Sequence, residues 1–146
     1  MERSFNMTSE LRGAKEKLRI ILDSNALRVP LQFKIDIFEE LQALLKTNFE
    51  PILLLQVRRE LEKLAKEGSP KTRGNASYAL KLAAKCKPVV ANEETSSPDD
   101  VIVKAAREWN CPVFTNDRKL RKRLRNINVP VIYVRQKSRL EIDGRI

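Results

Sequence analysis

The 146-residue chain is 42% apolar and 33% charged, which suits one compact domain with a packed core. Because no apolar run reaches the roughly 18–20 residues that span a bilayer and the N-terminus lacks a secretory signal, we expect a cytoplasmic protein without membrane contact. The chain has no histidine, which excludes Ser-His-Asp and Cys-His catalysis, and its net charge of +10 favours a polyanionic partner such as nucleic acid over a merely solubilising surface.

Apolar runs and amphipathic segments alternate along the chain. The runs predict five strands at LRIIL (18–22), PILLL (51–55), KPVVA (87–91), PVFTN (112–116) and VPVIYV (129–134). Apolar stripes at helical spacing predict five helices over residues 33–46, 58–66, 75–86, 99–109 and 117–127. Ser97 is a predicted N-cap, because Pro98 suits the first helical position.

Three segments carry no strong pattern. Residues 1–17 predict a polar N-terminal extension, and residues 92–98 predict a polar loop. The basic C-terminal tail, residues 135–146, is expected to be an edge extension or partly disordered. From Asp117 to Ile146 there are ten basic and three acidic residues, a net charge of +7, so most of the excess positive charge lies late in the chain.

Continuous apolar strands that alternate with helices indicate a parallel sheet covered on both faces. With right-handed crossovers, the natural solution is a doubly wound α/β domain, a three-layer α/β/α sandwich over residues 18–134 with a five-stranded parallel sheet. In such sheets, ligands bind outside the carboxyl ends of the strands.

Acidic residues follow four of the five predicted strands. Asp23 directly follows the first strand, and Glu60 lies in the helix after the second. Asp99 and Asp100 begin the helix after the third strand, and Asp117 follows the fourth. Carboxylates packed together raise each other's pKa unless a cation neutralises them. Mg²⁺ and Mn²⁺ prefer oxygen ligands and need no histidine, so the pattern predicts a divalent metal site.

Each acid also has a simpler explanation. Asp99 and Asp100 suit any helix N-terminus, Asp117 could cap its helix, and Glu60 could pair with Lys63. Asp23 is the hardest to explain in this way, because the end of a strand needs no acid.

Four segments resemble the PIN domain ribonucleases: LDSN (22–25), the REL of residues 59–61, SPDDVIVKAA (97–106) and TNDRKL (115–120). Their order and spacing are similar to those of the family across residues 18–134. The paired Asp99 and Asp100 and the basic run after Asp117 resemble the archaeal VapC-like branch, which is related to rRNA-processing PIN nucleases. The resemblance implies the strand order 3-2-1-4-5.

The resemblance also implies roles for individual residues. Asp23, Glu60, Asp99 and Asp117 would be the catalytic, metal-binding acids. Asp99 is favoured over Asp100 because Ile102 and Ala106 fit the family's spacing from Asp99, which leaves Asp100 as an outer or substitute ligand. Positions that often hydrogen-bond the acids or bound water in the family are occupied here by Ser24, Asn25, Thr115 and Asn116.

The resulting hypothesis is metal-dependent hydrolysis of RNA phosphodiester bonds with Mg²⁺ or Mn²⁺ as cofactor, by one or two ions, with Glu60 as a candidate proton acceptor. The run RKLRKRLR (118–125) places basic residues on the outer face of a helix, where they could bind the RNA backbone. The candidates are Arg118, Lys119, Arg121, Lys122 and Arg125, with Arg28, Lys71 and Arg73 as weaker ones.

Several alternatives stay open at this point. A non-catalytic RNA-binding or ribosome-assembly module would use the same fold and basic helix, but its acid set should be degraded. A signalling receiver would need an acid pair after the first strand, and a nucleotide-binding fold would need a glycine-rich turn. A toxin with an antitoxin protein as partner and an rRNA-processing nuclease acting on a pre-ribosome both fit the sequence, and a homodimer is a tendency of the family.

Overall fold

The computed structural model of the protein describes residues 17–91 and 97–146. The predicted N-terminal extension (1–17) and the predicted loop (92–98) therefore lie almost wholly outside the described residues. The described strands are β1 (Leu18–Leu22), β2 (Phe49–Leu54), β3 (Lys87–Val89), β4 (Val113–Phe114), β5 (Val131–Arg135) and β6 (Arg139–Asp143). They form one sheet in the order β3-β2-β1-β4-β5-β6, which contains the predicted order 3-2-1-4-5.

The described helices are α1 (Ser24–Leu27), α2 (Val29–Phe33), α3 (Ile37–Leu45), α4 (Leu55–Glu67), α5 (Pro70–Ala83), α6 (Pro98–Trp109) and α7 (Arg118–Asn126). Most of them begin at a side chain that accepts a hydrogen bond from the first turn, which satisfies one of the free N–H groups there. These caps are Asp23, Asp36, Ser69, Ser97 and Asp117. The predicted cap by Ser97, with Pro98 at the start of α6, is confirmed. None of the described helices is both long and apolar enough to cross a bilayer.

β1 lies at the centre of the sheet and is parallel to both of its neighbours. Ile21 is aligned with Ile52 of β2 and with Val113 of β4, and all three are buried. This continuous apolar core accounts for the uninterrupted hydrophobic runs in the sequence. Because the chain leaves β1 to one side and returns to the other, right-handed crossovers place helices on both faces, and the predicted sandwich is confirmed.

The five predicted strands are parallel to one another, and the sheet has a sixth strand that was not counted in the prediction. β6 pairs antiparallel with β5, which makes the edge extension the correct alternative for residues 135–146. Leu140 is only 4% exposed, and its burial fixes the strand against the domain. The turn before β6 places Gln136 and Lys137 at φ values of 55° and 58°. Such a turn normally contains glycine or asparagine. Neither residue type occurs at positions 136 and 137, so the sequence shows no hairpin motif here.

The predicted element boundaries shift where a local feature overrides the apolar pattern. The helix predicted from residue 33 begins at Ile37, because Asp36 caps it and Lys34 has a left-handed backbone. The helices predicted over 58–66 and 75–86 begin earlier, at Leu55 and Pro70. Strands three and four are shorter than predicted, with three and two residues respectively.

Leu140→Ala tests whether β6 is an integral strand. We expect the free energy of unfolding to fall by about 2–4 kcal/mol, because the substitution removes a buried side chain and leaves a cavity. Urea denaturation measures the change. Ser138→Ala, in the exposed turn, is the control and should stay within about 0.5 kcal/mol of the wild type. Equal stabilities for the two variants would contradict the buried edge strand.

Candidate active site

The central strand ends at a buried carboxylate. Asp23 follows β1 and is only 4% exposed. Its Oδ1 accepts a hydrogen bond of 2.7 Å from the backbone N–H of Ser24, and its Oδ2 accepts one of 2.7 Å from the Thr115 hydroxyl. The Asn25 amide donates a third, also to Oδ2, at 3.0 Å. Burying a carboxylate is costly unless its oxygens are satisfied, and these three donors satisfy them.

Asn25, Thr115 and Asn116 join the ends of three strands. The backbone N–H of Asn116 donates to Asn25 Oδ1 at 2.9 Å, and Asn116 Oδ1 accepts from the backbone N–H of Val134 at 2.8 Å. The Thr115 hydroxyl also accepts from the backbone N–H of Asp117 at 3.1 Å. The polar side chains after β1 and β4 therefore hold Asp23 in place and connect it to β5. Ser24 contributes its backbone N–H to this network.

The pKa of Asp23 is raised from 3.8 to about 6. Burial is the largest cause, and the negative charges of Asp99 and Glu60 raise the pKa further, whereas the hydrogen bonds from Thr115 and Ser24 lower it. The carboxylates of β1, α4 and α6 are therefore near enough to repel one another, as the positions of these acids at the strand ends predict.

The adjacent acids Asp99 and Asp100 have different surroundings. Partial burial raises the pKa of Asp99, and the charge of Asp117 raises it further, although Arg123 acts in the opposite direction. Asp100 is exposed and forms an ion pair of 3.0 Å with Arg123 Nη2. Asp99 is thus the member of the pair that is coupled to the other acids, whereas Asp100 is held by α7. The sequence contains no signal for the Arg123 contact.

Asp117 serves two purposes. Its Oδ1 accepts from the backbone N–H groups of Lys119 and Leu120, at 2.9 and 3.2 Å, so it caps α7 as its simpler explanation predicted. Its charge also raises the pKa of Asp99. Glu60 is half-buried on α4 and raises the pKa of Asp23. No ion pair between Glu60 and Lys63 occurs in the described part of the chain.

The donor chemistry of these acids fits a hard divalent cation, because carboxylate and amide oxygens are its preferred ligands. Their mutual repulsion fits as well, since a cation would relieve it. The fit is incomplete in geometry, because no three acidic side chains within residues 17–91 and 97–146 group closely enough to hold an ion. The elements bring the four predicted acids to one end of the sheet without closing a cage.

The predicted basic residues fall into two groups. Arg118, Lys119 and Lys122 are exposed on α7. Arg121 and Arg125 are half-buried and bind the two oxygens of Asp143 on β6, at 3.0 and 3.2 Å. The guanidinium of Arg121 also stacks on Tyr133, 3.8 Å from the ring centre. β6 therefore fixes two arginines that the sequence placed on a freely solvated face.

The domain is a doubly wound sheet with interacting carboxylates at the ends of its strands. The chain belongs to the PIN-like domain family, whose model matches residues 20–137. The family predicted from the sequence is thus confirmed. The chain is similar to Ribonuclease VapC4 of Methanocaldococcus jannaschii, with 36% identity over 131 residues that cover 88% of this chain and 98% of that protein.

Two further relatives carry other names. The rRNA-processing protein fcf1 of Schizosaccharomyces pombe is 30% identical over 117 residues, which cover 79% of this chain and 58% of that protein. The solved structure of the PIN domain endonuclease Utp24 superposes with a TM-score of 0.75 at 29% identity, over 88% of this chain and 92% of that one. Both branches predicted from the sequence are therefore represented among the relatives.

Asp23→Asn tests the raised pKa through the pH dependence of folding in the presence of chelator. A folded-state pKa of about 6 against 3.8 unfolded means that Asp23 favours the folded state at low pH, and that this contribution is lost as the pH rises through 6. The stability of the variant relative to the wild type should therefore increase between pH 4 and 7, by at most about 3 kcal/mol. Urea denaturation at a series of pH values measures this difference. A difference that stays flat or decreases over this range would contradict the burial of the charged group.

Proposed function

We propose that the protein is a metal-dependent endoribonuclease that hydrolyses RNA phosphodiester bonds at the site formed by Asp23, Glu60, Asp99 and Asp117. The observation that carries the proposal is the buried carboxylate of Asp23, whose pKa is raised by Asp99 and Glu60 as well as by burial. Keeping the charged form of such an acid buried at the end of the central strand costs stability, and costly groups of this kind cluster at functional sites.

These four acids would hold Mg²⁺ or Mn²⁺, with Asp100 free to approach only if its ion pair with Arg123 opens. A bound ion of this kind activates water as a nucleophile and stabilises negative charge on the leaving oxygen. Asn25 and Thr115 keep Asp23 oriented through their hydrogen bonds. Glu60, which is half-buried and has no ion pair among the described residues, would be the acceptor of a proton from the attacking water.

The surrounding charge supports RNA as the substrate. Asp117 lies at the N-terminus of α7, and Arg118 and Lys119 in the first turn of that helix are exposed to solvent. Positive side chains beside an acidic centre attract the phosphate backbone while the carboxylates hold the cation. The names of the relatives, a VapC ribonuclease and an rRNA-processing protein, support the same substrate class.

The relatives support two biological roles. The identity of 36% to VapC4, which is matched over nearly its whole length, favours a VapC-like toxin that is paired with an antitoxin protein. The identity of 30% to the rRNA-processing protein fcf1 favours a role in rRNA processing on a pre-ribosome. A non-catalytic RNA-binding module is less well supported, because all four acidic positions are filled. Glu60 and Asp99 raise the pKa of Asp23, and Asp117 raises that of Asp99.

Cleavage of structured RNA in Mg²⁺ or Mn²⁺ tests the proposal. We expect Asp23→Asn to lower the rate by at least about 100-fold, because the loss of a ligand should exceed the effect of losing an outer-shell partner. Gel analysis of labelled RNA measures the rate, and isothermal titration with Mn²⁺ measures ion binding by the same variant. Cleavage that persists in chelator, or that is equally fast in Asp23→Asn, would reject the mechanism.

The pair Asp99→Asn and Asp100→Asn tests which adjacent acid belongs to the site. Asp99→Asn should abolish most cleavage, because Asp99 is the acid coupled to Asp117. Asp100→Asn should change the rate by less than about tenfold, since Asp100 is occupied by Arg123 at the surface. The two variants differ from the wild type by the same charge and are matched controls for each other. The opposite ranking of their rates would assign the site to Asp100.

A further inference from the structure

A groove of about 960 Å³ opens beside the acid site. Asn25, Thr115 and Asn116 form the wall that it shares with the acids, and the other walls come from α2, from the first turns of α5 and α7, and from the end of β5 with the turn that follows. The groove therefore begins where Asp23 is held and leads away from it towards the β5–β6 turn.

Among the described residues that line the groove, six are basic and none is acidic. Its basic residues are Arg28, Lys71, Arg118, Arg121, Arg135 and Lys137. Arg121 pairs with Asp143 and Arg135 with Glu141, whereas the other four form no ion pair with any described residue. In a cleft of one sign the field of these charges is focused, which favours a polyanion.

Arg28 points to the class of ligand more directly. Its Nε is buried and has no hydrogen-bond partner within the described residues. Arg28 lines the groove and forms no ion pair with a described residue, and phosphate is an anion that a guanidinium binds well. Asn25 lines the groove together with Arg28 and donates a hydrogen bond to Asp23. An anion bound at Arg28 would therefore lie close to the acid site.

The groove also contains surfaces for flat rings. Tyr133 lies under the guanidinium of Arg121, 3.8 Å away, and Leu31, on α2, is 48% exposed. Phe33 lies on the same wall. Aromatic and arginine planes stack on bases that are unpaired, whereas the bases of a duplex are already stacked on each other.

From these observations we propose that the groove binds the single-stranded RNA segment that flanks the bond to be cleaved. Arg28, Lys71 and Lys137 contact its phosphates, and the stack of Arg121 on Tyr133 receives a base. This inference rests on the proposed ribonuclease function and adds the path of the substrate. The path crosses the N-terminus of α7 and does not follow the outer face of the helix, because Lys119 and Lys122 do not line the groove.

The first experiment measures RNA binding in chelator, where no metal-dependent cleavage takes place. The probe is a single-stranded oligouridylate, and a blunt RNA hairpin of equal length is the comparison. The groove variant is Lys71→Gln with Lys137→Gln. The control is Lys66→Gln with Lys81→Gln, which removes the same charge from exposed positions on α4 and α5 that do not line the groove.

The groove variant should bind the single strand more weakly, and the slope of log affinity against log salt should fall by about 1.4, which corresponds to two phosphate contacts. The control should retain the wild-type slope. Tyr133→Leu should weaken binding about tenfold without changing the slope, because it removes a stacking surface and no charge. Circular dichroism of each variant checks that the fold is kept.

Three results would overturn the proposal. The first is equal binding of RNA by the groove and control variants, and the second is binding of the hairpin as tight as that of the single strand. The third is displacement of the RNA by a polyglutamate peptide of equal charge, which would assign the groove to an acidic protein segment. Because binding is measured without metal, the two proposals fail separately. Groove-dependent binding without cleavage in Mg²⁺ or Mn²⁺ would reject the ribonuclease and keep the groove.

Discussion

The structure depends on the solvation of one carboxylate that the fold removes from water. Asp23 ends the central strand and is 4% exposed, and donors from Ser24, Asn25 and Thr115 replace the water it has lost. Two of these donors follow β1 and one follows β4. The pairing of β1 with β4 therefore also positions the Asp23 carboxylate. Any change that shifts β4 against β1 would also leave a buried charge unsatisfied, which is among the costliest defects in a core.

Around Asp23, the acidic and the basic side chains occupy two separate but adjacent regions. Asp23, Asp99 and Asp117 lie at or next to helix N-termini, where the helix dipole favours negative charge even without a cation, whereas Glu60 lies further along α4. The positive charges come from α7, α5, Arg28 before α2, and the end of β5 with the turn that follows. Asp117 joins the two regions, because it caps the helix that carries the arginines and at the same time raises the pKa of Asp99. In the proposed mechanism, substrate attraction and cation binding would thus belong to different faces of the same few elements.

Much of this arrangement could be predicted, because it follows from patterns that are local in sequence. Buried strands appear as apolar runs, and acids after those runs are expected to meet at one edge of a parallel sheet. This pattern made Asp23, Glu60, Asp99, Asp100 and Asp117 candidates without a structure. The resemblance to the family added Asn25 and Thr115. Local patterns cannot predict contacts between side chains far apart in sequence.

The clearest example is the clamp of Asp143 on Arg121 and Arg125. It requires β6 to fold back antiparallel through a turn in which Gln136 and Lys137 take a left-handed backbone, which neither residue signals. The ion pair of Asp100 with Arg123 was likewise unpredictable, since it depends on how α6 and α7 approach each other. The basic residues of the groove could be suspected from composition, but only the fold distinguishes those that line it from those that face solvent.

Gly144 shows how closely the C-terminal segment is fitted to the rest of the domain. Its φ of +106° is open mainly to glycine, and a Cβ at this position would lie 2.5 Å from Arg125 Nη1 and 3.2 Å from the Cα of Pro130. Because Gly144 has no side chain, the Arg125 side chain can pass beside it and pair with Asp143. Purification tags and fusion partners should therefore be attached after Ile146 through a spacer. A fusion that replaced the last few residues would remove Asp143 and with it the ion pairs that hold Arg121 and Arg125.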